Sequence, residues 1–136
     1  MKNLKKVIAT ALFALVFSVG AYAQSSAKIV AVVNSANWCS VCKANGERAM
    51  AAFMENNKDG EIQFVMNDIS NAETTKKSAI EVEKVGLKKA MENYKASGVV
   101  YFFDAKTKKP ITQITVANSN EEIAYVIGEV KKYVNK

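Results

Sequence analysis

Five consecutive apolar residues, Ile29-Val30-Ala31-Val32-Val33, run toward Trp38-Cys39-Ser40-Val41-Cys42, and a stretch that reads as a helix follows from Lys43 to Asn57. A strand with no polar alternation suits a sheet covered on both faces. The chain's only two cysteines therefore fall at a strand-to-helix junction. The first N–H groups of a helix lack partners and its N-terminus carries a partial positive charge, and both stabilise a thiolate. A thiol pair placed there is suited to thiol–disulfide chemistry.

The spacing narrows what the pair can be. A bridge across two intervening residues closes a very small loop and removes little entropy from the unfolded chain, so it makes a poor staple. Redox exchange is the favoured reading, with an inert local disulfide and metal carriage as the alternatives. No histidine occurs anywhere in the chain, which removes the usual general base, the usual metal ligand and any Cys–His nucleophile pair. No cofactor or resident metal is expected.

Residues 1–23 read as a secretory signal peptide. Lys2, Lys5 and Lys6 precede an apolar run from Val7 to Val19, and Ala21-Tyr22-Ala23 supplies an A-x-A cleavage site. The run is short for a membrane span, so no stable membrane insertion is expected after cleavage. The remaining segment, 24–136, is long enough for one domain and too short for two. Losing three lysines lowers the formal charge from +6 to +3. Lysines interspersed with acids at so mild a net charge argue against nucleic acid as a partner. The expected location is a bacterial periplasm or the exterior, where disulfides persist.

Further elements follow from pattern. Lys28 to Val33 predicts the first strand and Glu61 to Ile69 the second. Met50, Phe53 and Met54 should face the core from the first helix. Glu73 to Ala96 is helical in pattern, with Ile80, Leu87, Met91 and Tyr94 on one face and Gly86 as a point of division. Val99 to Phe103 is the most strand-like segment. A polar turn, Asp104 to Lys109, returns it as a strand from Ile111 to Ala117, with Pro110 at the start, where a missing N–H costs little. Ser119 to Glu122 has the form of a capping box before a helix with Ile123, Val126, Ile127, Val130 and Val134 on one side. Asn34 and Asn37 read as loop and cap residues. The result is β-α-β-α-β-β-α, an α/β fold whose four-stranded mixed sheet is covered by helices on both faces.

That order, with Trp38-Cys39-x-x-Cys42-Lys43 at the first strand-to-helix turn, resembles the thioredoxin-like superfamily. By topology the resemblance spans the mature chain, and by specific residues only Trp38 to Lys43. It implies that Cys39 is the exposed attacking thiol, that Cys42 is the buried resolving thiol, and that Trp38 shields the pair beside an incoming substrate. Its partners would be protein substrates with thiols or disulfides, helped by a membrane electron donor. The family's cis-proline would fall at Gly98 or Val99, which makes these the candidate substrate-binding positions here. A cis bond before a non-proline residue would cost about 3 kcal/mol. The buried aspartate of thioredoxins proper is Val33 here, and the accompanying lysine is Val65 or Met66. These departures predict slower release of a mixed disulfide and a roomier site. The reading that competes with an oxidoreductase is a protein of the same fold that binds Cu(I) or a partner without redox turnover.

Overall fold

The computed structural model describes residues 26–136; the signal-peptide reading of residues 1–23 lies outside the described residues. The elements run β1 (Ile29–Ser35), α1 (Ser40–Glu55), β2 (Ile62–Asp68), α2 (Ala72–Lys84), α3 (Lys88–Met91), β3 (Val99–Asp104), β4 (Pro110–Thr115) and α4 (Asn120–Val134). The sheet order is β2-β1-β3-β4. β1 is parallel to β2 and antiparallel to β3, and β3 and β4 form an antiparallel hairpin. The mixed four-stranded sheet is as expected.

β1 lies at the centre, and every residue from Ile29 to Asn34 is buried. Its side chains alternate between two cores. Ile29, Ala31 and Val33 pack with Ala49, Ala52 and Phe53 of α1 and with Ile123, Ile127 and Val130 of α4. Val30 and Val32 pack on the other face with Val82 of α2, with Leu87 and Met91, and with Tyr101 and Phe103 of β3. The uninterrupted apolar run is thus explained by a helical layer above and below it.

Three expectations change. Met54 is exposed rather than buried, because Ala49, Ala52 and Phe53 define the inward face of α1. Ile80 is also exposed. The helical pattern breaks at Gly86, whose φ of 76° ends the register after α2, so Ile80 and Leu87 do not share a face. The chain is then helical only over the single turn of α3 and reaches β3 as an irregular segment. Finally, Asn34 belongs to β1 and is completely buried; it is not a loop residue. The capping box at Ser119 and Glu122 is present, with both reciprocal hydrogen bonds made.

Candidate active site

β1 ends at Ser35, and a short loop carries the chain from the end of this central strand to α1. Cys39 is the N-cap of that helix. Its backbone is extended (φ −82°, ψ 106°), and its Sγ accepts the Cys42 N–H at 3.2 Å. The side chain thus fills the role a Ser or Asp oxygen usually plays at this position. No acidic residue lies in the first turn of α1, so nothing there offsets the positive end of the helix. Cys39 and Cys42 are joined as a disulfide with Cα atoms 5.3 Å apart.

The exposures of the two cysteines run opposite to expectation. Cys39 is only 5% exposed, whereas Cys42 is partly exposed. Gly98 lies beside both sulfurs. A Cβ placed on Gly98 would sit 3.5 Å from Cys39 Sγ, 3.6 Å from Cys42 Sγ and 3.5 Å from a Val41 methyl carbon. The main chain of the segment before β3 therefore forms a wall against the bridge. Gly98 holds a φ of 74°, and the described residues contain no cis peptide bond. Its N–H donates to Asn34 O at 2.8 Å and its C=O accepts from Val116 N–H at 2.9 Å. Val99 is buried and packs in the core with Val32 and Tyr101.

Trp38 is 60% exposed, and its indole N–H donates to the Ser70 carbonyl at 3.0 Å. Ser70 Oγ accepts the Asn37 N–H at 2.8 Å. Ser70 in turn gives its own N–H and hydroxyl to the Asp68 carboxylate. Those two hydrogen bonds, the hydroxyl's first, hold the Asp68 carboxyl below the usual aspartate range. The loop after β2 thus grips the residues that lead into the cysteines. Val33, at the place of the thioredoxin aspartate, is buried among the α1–α4 core residues and brings no carboxylate beneath the pair.

Sequence reasoning missed two contributors. Asn34 donates from Nδ2 to Tyr94 O at 2.9 Å and accepts from Asn67 Nδ2 at 2.8 Å. Ser70 was not singled out at all. Asn34 does extend the two-residue alternation of Val30 and Val32, which was the available signal. Ser70 had none, since its role is set by tertiary approach. Among the described residues no three metal-ligating side chains cluster, and no helix is long and apolar enough to cross a membrane.

A βαβ unit joined to a hairpin, in the order β2-β1-β3-β4 with a Cys-x-x-Cys bridge where β1 meets α1, defines a thioredoxin-like fold. No protein-family model matches the sequence, and no curated relative does. Among solved structures the chain is similar to Trxlp from Edwardsiella tarda, at 14% identity and a TM-score of 0.48 over 81% of this chain and 91% of that one. It is also similar to thioredoxin from Wuchereria bancrofti, at 18% identity and a TM-score of 0.48 over 85% and 86%. The oxidised thioredoxin from Plasmodium falciparum matches at 17% identity and a TM-score of 0.44 over 86% and 90%.

Proposed function

We propose that this protein is an exported thiol–disulfide oxidoreductase that exchanges disulfides with protein substrates through Cys39 and Cys42. One observation carries the reading: the disulfide sits on the N-terminus of α1, with Cys39 Sγ already accepting a helix N–H. On reduction, that N–H and the helix dipole would stabilise a Cys39 thiolate. The thiolate attacks one sulfur of a client disulfide. A bond forms between Cys39 Sγ and that sulfur, and the client's second sulfur leaves as a thiolate. Cys42, deprotonated by solvent, then attacks Cys39 Sγ, restores the Cys39–Cys42 bridge and releases the client's first sulfur as a thiolate. The client gains two electrons and the protein loses two, which a membrane electron donor would return. Exposed Trp38 and the Gly98 main chain flank the path of an incoming strand. The basic start, apolar run and Ala21-Tyr22-Ala23 pattern support export to a periplasm.

One observation favours a second reading. The burial of Cys39 suits a scaffold whose bridge stays closed while another surface binds a partner. Trapping separates the two. Cys42→Ser should accumulate mixed disulfides between Cys39 and client proteins, and the wild-type couple should lie between about −120 and −270 mV. A bridge far more resistant to reduction, with nothing trapped by either Cys42→Ser or Cys39→Ser, would overturn the oxidoreductase reading. Trapping by Cys39→Ser alone would reverse the roles of the two thiols.

A further inference from the structure

The end of β2, the helix α2 and the segment leaving α3 do not close fully against one another. They leave a cleft of about 370 Å³. Its lining includes Val82 and Met91, both buried, together with Ile69, Ala79 and Tyr94. Val82 and Met91 belong to the core on this face of the sheet, so the cleft reaches from the surface down to packed hydrocarbon. Neither cysteine nor Trp38 lines it.

The rim is charged. Lys88, Glu92 and Lys95 border the cleft and are exposed. Lys88 Nζ lies 3.9 Å from Glu83, a distance and exposure at which an ion pair contributes little. Among the described residues neither Lys95 nor Glu92 has an ion pair. Two ammonium groups against one carboxylate leave the rim with one positive charge in excess.

Size and charge limit the occupant. The volume falls at the small end of the range of about 300–1,000 Å³ in which proteins hold small ligands. Its ten lining residues are far fewer than the roughly 20–30 a side of a stable protein interface. An apolar interior gains by taking hydrocarbon out of water. A net charge of one at the mouth complements a monoanion, and the Glu92 carboxylate disfavours a second negative charge. We infer that this cleft binds a small amphipathic carboxylate, its hydrocarbon chain against Val82, Met91 and Ala79 and its head group between Lys88 and Lys95. The site stands apart from the oxidoreductase reading, and either can fail without the other.

The test is calorimetric titration of the purified full chain with octanoate, held below its micelle concentration, and with octanol, octylammonium and acetate. Octanoate should bind saturably and most tightly, octanol more weakly, octylammonium weakest of the three chains, and acetate not at all. Raising the salt should narrow the gap between octanoate and octanol. The double variant Lys88→Glu, Lys95→Glu should weaken octanoate about tenfold and change octanol less than about twofold. Ala79→Leu keeps a good helix former and fills the cleft, so it should weaken both. In parallel, the methyl resonance of Met91 should shift with octanoate in the wild-type protein. That readout locates the ligand without any substitution. Equal affinity for octanoate and octanol would overturn the inference. So would a Met91 methyl that does not move, or an Ala79→Leu protein that binds octanoate as before. Self-association abolished by Ala79→Leu, with no saturable octanoate binding, would give the cleft to a second copy and overturn it as well.

Discussion

The two faces of the sheet are held by different means. On the α1–α4 face, Phe53 packs its ring 5.6 Å from that of Phe64 and 6.3 Å from that of Phe102, amid Ile29, Ile123 and Ile127. The contacts are apolar throughout. On the α2–α3 face, the core narrows toward the cysteine end of the strands, where Asn34, Asn67 and the Tyr94 carbonyl replace hydrocarbon. The first face carries the helix that presents the cysteines; the second carries the segment that covers them. Apolar packing is non-directional and cooperative, while a few hydrogen bonds fix direction at modest net stability. The fold thus holds the thiol-bearing helix by packing and the segment beside the bridge by directed hydrogen bonds.

The largest test of that contrast is Phe53→Ala. It empties the middle of the apolar face and should cost about 3–5 kcal/mol in denaturant unfolding. A loss near 1 kcal/mol would show that this face does not dominate stability. Next comes Tyr101→Phe on the other face. Losing the hydroxyl while keeping the buried ring should cost about 1 kcal/mol or less. A cost comparable with that of Phe53→Ala would erase the distinction between the faces.

The smallest effect is a titration. Asp68 holds its proton less readily than an ordinary aspartate because Ser70 donates two hydrogen bonds to its charged form. A carboxyl depressed in the folded state stabilises it above the ordinary value of 3.8, and the benefit is lost as pH falls below that and through the folded value. Trp38, the only tryptophan in the chain, is bound to Ser70 and reports on this loop by fluorescence. Its emission should shift in that acid range before far-UV circular dichroism changes. Asp68→Asn should abolish the early shift, and an unaltered profile would disconnect Asp68 from the loop.

Much of this was legible in the sequence, for reasons that particular residues show. Ile29 to Val33 revealed a doubly covered strand because burial on both faces removes all need for polar alternation. Ser119 and Glu122 marked a helix start because the capping box is a local interaction. Periodicity misled where backbone geometry intervened: Gly86 divides the register that joined Ile80 to Leu87. The start of α1 lay earlier than Lys43 because a cysteine, rather than a residue of the usual capping set, caps it. Asn34 read as loop because an amide after an apolar run ordinarily ends a strand. Its burial depends on Asn67 and Tyr94, 33 and 60 residues away in sequence, and no local pattern reports such partners. The approach of Gly98 to both sulfurs likewise comes from a distant segment.

Gly98 also limits how this site can diversify. Its amide and carbonyl are both committed inside the molecule, and a side chain there would meet both sulfurs at van der Waals contact from a backbone angle that favours glycine. Evolution or an engineer must then adjust the bridge from its solvent side, through Trp38, Ser40 and Val41, which all stand outward. Three neighbouring codons hold nearly all the freedom to vary this chemistry.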